Sequence, residues 1–349
     1  MMNLKQRVNY LVIVAAILIL GGTGGAFAAD WQFYGTASVN TFLVDSDVDD
    51  TTQYTQQLNP GANIGAEVQV SDTLSGGFEY GTENGSANVV ALYGEWDFGS
   101  GSLLVGQAEV PVYQGISGQV YDDDRALDGI GEFNPGERAM IRLTFGNFQV
   151  AAVETDARIS RAGGPDDSLS EVKAPTVHAR YDFSAQAFDA AVSGAVSAFD
   201  YDDKSVTSCV AVAAIGANIN RFRLAAQGWI GRNVANLAPV DSRGQGEDGF
   251  AIYEGGAIHD VDAWGVALVA QVVFNDALSM EAGYGHVDLD YGNATLFASD
   301  TDEAQSYYLN MPVTLAEGVQ IVPEIGVIDY NESGQDKNTY AGAKWQIEF

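Results

Sequence analysis

From Trp31 onward the chain alternates apolar and polar positions with a period of two, in segments of about ten residues. The last segment shows the pattern plainly. Thr339, Ala341, Ala343, Trp345, Ile347 and Phe349 fall on one face, and Tyr340, Gly342, Lys344, Gln346 and Glu348 on the other. Successive side chains of a strand point to opposite faces, so the pattern predicts a sheet with one apolar and one polar surface. A strand of that length, apolar on one side and polar on the other, suits a bilayer with lipid outside and water within.

Sixteen such segments follow one another, near 31–43, 62–70, 74–82, 88–98, 102–109, 138–146, 148–156, 174–183, 188–198, 207–217, 222–232, 260–274, 278–287, 303–313, 318–328 and 339–349. Their connections sort by length. Short ones stand at Ser71-Asp72-Thr73, Gly99-Ser100-Gly101, Gly146-Asn147, Asn275-Asp276-Ala277 and 314–317, while 45–61, 110–137, 157–173, 233–259 and 288–302 are long and acidic. Barrels of the outer membrane have short periplasmic turns and longer external loops, and a soluble sandwich has little reason to sort its loops this way. The alternation is not kept at every step, which predicts that one or two strands are miscounted.

Aromatic residues gather where the apolar face nears the short turns: Trp31, Phe33, Trp96, Phe98, Phe145, Phe148, Tyr181, Phe183, Phe188, Phe222, Phe274, Trp345 and Phe349. Amphipathic rings collect at the bilayer interface, so these predict the periplasmic girdle. Lipid cannot solvate an open sheet edge, so the first strand should pair with the sixteenth. The expected fold is therefore all-β, a transmembrane antiparallel β-barrel of sixteen strands.

The N-terminal residues fit export. Lys5 and Arg7 precede the apolar run from Leu11 to Leu20, and Ala26-Phe27-Ala28 matches a small-x-small cleavage site. Residues 1–28 read as a signal peptide and 29–349 as the barrel; ten apolar residues are too few to span a bilayer as a helix. Losing Lys5 and Arg7 takes the formal charge from −31 to −33. Charge of that sign repels nucleic acid, which excludes DNA or RNA as a partner. Cys209 is the only cysteine, so no disulfide within the chain is possible.

Sixteen strands enclose an aqueous lumen, where eight would be filled by side chains. The inward parity carries Asn63, Glu67, Gln69, Glu79, Glu95, Arg138, Arg142, His178, Arg180, Asp182, Arg223, Gln227, Glu281, Glu324 and Lys344. A polar lumen points to passage of solutes.

Leu92-Tyr93-Gly94-Glu95-Trp96-Asp97-Phe98-Gly99, then Leu103-Leu104-Val105-Gly106-Gln107 and Pro111-Val112-Tyr113, resembles the general diffusion porins of Gram-negative bacteria, where a strand ending in Phe-Gly turns into one that leads to the third external loop. The terminal Phe349 is similar to the last residue of outer-membrane barrels. With the signal peptide and the strand tally, the resemblance covers the whole mature chain. It implies localisation in the outer membrane, contact with membrane lipid and lipopolysaccharide, and a homotrimer. The small outward residues Gly35, Ala37, Ala62, Ala66, Ala341 and Ala343 agree with a subunit contact, although the short second connection 83–87 departs from porins in which that loop latches onto a neighbour.

The resemblance also implies a third loop folded into the barrel, whose acidic residues face basic ones across a constriction. Here the acidic set is Asp122, Asp123, Asp124, Asp128 and Glu132, and the basic set expected on the wall is Arg138, Arg142, Arg180 and Arg223. Gly131-Glu132-Phe133 is similar to a porin element in that loop, without its preceding proline. Acidic residues outnumber basic ones 47 to 16 over the whole chain, which predicts weak cation selectivity for ions and small hydrophilic solutes. The alternative is a substrate-specific channel. Tyr93, Trp229 and Tyr340 lie on the inward parity, but they form no continuous aromatic ladder for sugars, and the lumen is poor in lysine for phosphate.

Catalysis is not expected, because the chain has no Gly-x-Ser-x-Gly elbow and no His-Glu-x-x-His helix; its three histidines are His178, His259 and His286. No cofactor is expected. Asp45, Asp47 and Asp49 begin like a calcium loop but fail the template, with Asp50 where glycine is needed and Gln56 where the bidentate Glu belongs.

Overall fold

The computed structural model describes residues 29–47, 51–83, 86–121, 127–242, 248–296, 300–331 and 337–349. The signal-peptide segment and Asp122, Asp123 and Asp124 lie outside these described residues.

Sixteen strands form one antiparallel sheet that closes on itself. In chain order they are β1 (Asp30–Ser46), β2 (Thr51–Leu58 and Asn63–Ser71), β3 (Leu74–Glu83), β4 (Ser86–Asp97), β5 (Ser102–Glu109), β6 (Glu137–Phe145), β7 (Phe148–Val153) and β8 (Ser170–Val172 and Thr176–Ala185). They continue as β9 (Phe188–Tyr201), β10 (Lys204–Ile219), β11 (Phe222–Arg232), β12 (Asp262–Asn275), β13 (Leu278–Asp290), β14 (Thr301–Asn310 and Val313–Ala316), β15 (Val319–Tyr330) and β16 (Lys337–Glu348). Each pairs with its neighbours in sequence. The barrel closes where β1 meets β16 from Thr36 opposite Glu348 to Ser46 opposite Asn338, and Gly35 and Phe349 exchange two further backbone bonds of 2.9 Å. No strand edge is left facing lipid, as a spanning sheet requires.

All sixteen segments expected from the sequence are strands, and the anticipated miscount does not occur. Turns at 72–73, 98–101, 146–147, 186–187, 220–221, 276–277 and 317–318 share one rim with both chain ends of the sheet. The other rim carries every long connection. Two of its connections, 84–85 and 202–203, are short in sequence, which is why the alternation of lengths looks broken while the up-and-down order is strict.

The sheet is apolar outside. Phe33, Ile64, Leu92, Ile141, Ile230, Leu268 and Ile325 are all more than half exposed or nearly so, at 72%, 57%, 53%, 55%, 67%, 49% and 56%. In water such a surface would drive association; in a bilayer it is the solvated side. Near the short-turn rim the rings pack in pairs, Trp31 on Phe33 at 6.1 Å, Phe98 on Phe145 at 5.9 Å and Tyr181 on Phe183 at 4.6 Å. That is the girdle expected from the sequence.

On the long-loop rim, 159–161, 164–166, 252–254 and 257–259 make a separate four-stranded sheet from the connections that follow β7 and β11. Its Ile159 packs into a buried cluster with Ala157, Phe199, Tyr201, Val206 and Ala251, and Arg161 and Tyr201 both hydrogen-bond Asp166. That paired carboxyl is held down at about 2, by the Tyr201 hydroxyl first and the Arg161 guanidinium second.

Candidate functional site

The pairing register fixes which side chains share the inner face. Residues directly opposite in adjacent strands point the same way, so one row runs Glu95, Leu104, Arg142, Ala151, His178, Ala195 and Val210 from β4 to β10. A neighbouring row on the other side runs Gln227, Ala267, Gly285 and Ser306 from β11 to β14. His286 falls on the opposite parity and faces outward. Every residue of the expected inward set shares the polar face.

The two sides of that face are occupied differently. Across β9 to β16 the wall is covered by the connections that follow β5, β11 and β13. Val112, Val120, Ile130 and Phe133 of the first, Val234, Leu237, Ala238 and Val240 of the second, and Tyr291 of the third form one buried apolar cluster with Trp229, Val287, Leu289, Val322 and Tyr340 of the wall. Burying such side chains contributes about 1.5–3 kcal/mol each.

Backbone polar groups brought into that cluster need partners, and wall side chains supply them. Gly118 N–H donates to Glu281 Oε1 at 2.6 Å, and Val120 and Tyr121 N–H donate to the two oxygens of Glu324 at 2.8 and 3.1 Å. Gln227 serves two strands of chain at once, accepting from Phe133 N–H at 2.5 Å and donating to the Gln114 carbonyl at 2.7 Å. Trp229 Nε1 donates to the Gly131 carbonyl at 3.0 Å, and the Tyr121 and Tyr340 rings stack at 3.7 Å. At Gly285 a Cβ would collide with the Ile130 carbonyl, and Gly131, at φ +103°, meets the backbone of Val266 and His286. The connection thus touches bare backbone of β12 and β13.

Across β2 to β8 the wall is partly open, apart from Leu104, Met140, Ala151 and Val153, which are buried as a small apolar cluster with Val110 of the third loop. Glu67 is exposed; Glu79, Glu95, Arg142, Arg180 and Asp182 are half-buried. Tyr34 Oη and Asn63 Nδ2 donate to the two oxygens of Glu79 at 2.8 and 3.0 Å, and Ser102 Oγ donates to Glu95 at 2.6 Å. Arg180 bridges Asp182 at 2.7 Å and donates to the Tyr113 carbonyl at 2.5 Å, so it touches the start of the third loop. Arg142 donates to the Glu109 carbonyl at 3.3 Å and Arg138 to the Asn236 carbonyl at 3.2 Å. Arg223 lies near the short-turn rim, opposite Asn218 and Gln271, and makes no hydrogen bond or ion pair among the described residues.

Of the expected acidic loop residues, Asp128 and Glu132 are among those described. Glu132 is buried at 3% exposure and accepts from Ile116 N–H at 2.5 Å within its own loop. Burial, and then the nearby Asp128, push its carboxyl up to about 8. Asp128 accepts from Asn134 Nδ2 at 2.7 Å. Among the described residues no ion pair joins Glu132 to Arg138, Arg142, Arg180 or Arg223. Sequence reasoning placed Glu281, Glu324 and Gln227 on the inner face without seeing that they fasten the third loop; a carboxylate at the centre of a strand beside small residues was the available signal.

A closed sixteen-stranded sheet, apolar outside and polar inside, defines the architecture of an outer-membrane porin. No family model and no curated sequence matches this chain. Among solved structures it is similar to the outer membrane channel DcaP of Acinetobacter baumannii, with a TM-score of 0.76 at 15% identity over 95% of this chain and 100% of that one. The anion-selective porin from Comamonas acidovorans superposes at 0.63 with 12% identity, covering 92% of this chain and 100% of that one. OmpF from Salmonella typhi gives 0.62 at 14%, over 91% and 97%. Identities this low carry the fold, and the fold is that of Gram-negative porins.

Proposed function

We propose that the protein is a water-filled channel of the outer membrane through which ions and small hydrophilic solutes diffuse passively. The observation that carries this is the open polar wall of β2 to β8 inside a sheet whose outer face is apolar. The third loop narrows the lumen from the β9–β16 side, fastened there by Glu281, Glu324 and Gln227. The passage then runs beside Glu67, Glu79, Glu95, Arg142 and Arg180. Three carboxylates against two guanidiniums, one already paired with Asp182, favour weak cation selectivity. The Comamonas relative in fold selects anions, so the fold leaves this sign to the side chains.

Reversal potentials in a salt gradient across planar bilayers test the reading. Cation preference is expected; anion preference overturns the selectivity, and absence of conductance overturns the channel. The apolar filling of half the lumen favours a second reading, a narrower channel selective for one solute class. Tight, saturable block of the current by a single solute would support it.

A homotrimer is part of the proposal. Gly35, Ala62, Ala66 and Ala343 form a low, buried floor on the outside of β16, β1 and β2, between exposed Phe33, Ile64 and Trp345. A neighbouring subunit fits such a furrow, with lipid and lipopolysaccharide around the rest. Cross-linking in native membranes checks it.

A further inference from the structure

One cluster on the outside of the barrel has no part in conduction. His286 and Asp288 lie two apart on β13, hence on one face, and Glu303 of β14 stands directly opposite Asp288. They share the outward parity of Tyr284 and Tyr307 and lie beyond those rings, toward the long-loop rim. One ring nitrogen of His286 and one oxygen of each carboxylate all fall within 4.8 Å of one another, and the three side chains are partly buried. Like charges directly opposite in a sheet are destabilising, yet among the described residues no basic side chain pairs with Asp288 or Glu303. Two of the three groups are held from behind. The His286 ring packs on Trp264 with centroids 5.1 Å apart, and Asn331 Nδ2 donates to Glu303 Oε1 at 3.1 Å. A hydrogen bond like that from Asn331 orients a metal ligand.

We propose that His286, Asp288 and Glu303 form a divalent metal site on the outer rim of the barrel, suited to Zn²⁺. An imidazole beside two carboxylates matches the mixed nitrogen and oxygen set that Zn²⁺ accepts, whereas Ca²⁺ asks for six to eight oxygens. Bound there, the ion neutralises the opposed carboxylates and ties β13 to β14. Three protein ligands leave a position open for water or a phosphate oxygen.

Calorimetric titration of the full chain in detergent micelles with Zn²⁺ tests this. One saturable site per chain is expected, lost in His286→Ala and in Asp288→Asn, and weakened about 10-fold in Asn331→Ala, which removes only an orienting contact. Trp264 reports independently. Ni²⁺ should quench part of the tryptophan emission in the native chain and in Asp288→Asn much less, with little quenching left in Trp264→Phe. Each variant is first checked for barrel formation by circular dichroism; should His286→Ala not fold, Asp288→Asn decides. Absence of saturable Zn²⁺ uptake, uptake unchanged in a folded His286→Ala or Asp288→Asn, or Ca²⁺ bound as tightly as Zn²⁺ overturns the proposal.

Discussion

The two sides of this lumen are built from the same kind of strand and face the same way, yet one is mostly a protein core and the other, apart from the small apolar cluster of Leu104, Met140, Ala151 and Val153, a wet wall. Over β9 to β16 the inner face holds Trp229, Val287, Leu289, Val322 and Tyr340 and is roofed by loop residues such as Val120, Ile130 and Phe133. Over β2 to β8 it holds Glu67, Glu79, Glu95, Arg142 and Arg180, half-buried or exposed. The strands differ little in backbone; the difference lies in what three connections place against them. One side therefore carries energy of packing, and the other carries the field that solutes meet.

The largest effect should come from the packed side. Trp229 touches Phe133 at 5.3 Å and bonds the Gly131 carbonyl, so Trp229→Ala removes both a large buried ring and a donor. A loss of about 3–5 kcal/mol is expected, read as a lowered urea midpoint in detergent micelles. Conductance should rise as the third loop loosens. A midpoint unchanged from the native protein would mean that the loop is not packed as described.

Next comes the anchor at Glu324. Glu324→Ala leaves Val120 and Tyr121 N–H without acceptors in a buried place, at a cost of about 1–3 kcal/mol each. The measurable sign is faster proteolysis of the segment around residues 116–121 in the folded barrel, together with larger and noisier single-channel currents. Slow, native-like proteolysis in the variant would break the link between these bonds and the position of the loop.

A pH effect follows from Glu132. Its carboxyl titrates near 8 in the folded chain, above the usual range for an unfolded glutamate. The folded state therefore binds the extra proton, and this contribution to stability is whole below the unfolded pKa and is lost as pH rises through about 8. Glu132→Gln cannot ionise. The native protein should lose stability relative to this variant between pH 5 and 9, and a pH-independent difference in urea midpoint would contradict the burial.

The wet wall and the packed side were unequally legible in the sequence. Strand positions came through because alternation with period two is imposed along each strand by its own two solvents, and a register error would turn Phe33 or Trp345 into water. Parity alone put Glu281, Glu324 and Gln227 inside. Their work as anchors was hidden, since it depends on residues about 90 to 200 positions away in the chain meeting them, as Phe133, Gly118 and Val120 do. The porin resemblance set Asp128 and Glu132 opposite arginines, and nothing in the alternation carries depth for a loop residue; folded, Glu132 is roofed over and bonded within its own loop. The short connections 84–85 and 202–203 misled for a related reason, as length is a habit of external loops and not a requirement of closure.

The smallest change in stability should accompany the clearest change in selectivity, and it comes from the wet wall. The Arg180–Asp182 pair keeps 21% and 34% of its side-chain surface exposed, so it is worth about 0–1 kcal/mol and Arg180→Ala should scarcely move the urea midpoint. Its removal frees the Asp182 charge and takes a cation from the wall, which shifts the reversal potential in the cation-selective direction. Glu79→Gln should shift it the other way, because the amide still accepts from Tyr34 while the charge is gone. Screening makes both shifts larger at low salt, where the Debye length approaches the width of a pore. Opposite shifts with unaltered midpoints are what a conducting wall requires; if Arg180→Ala destabilised the barrel as much as Trp229→Ala, the division between a packed side and an open side would fail.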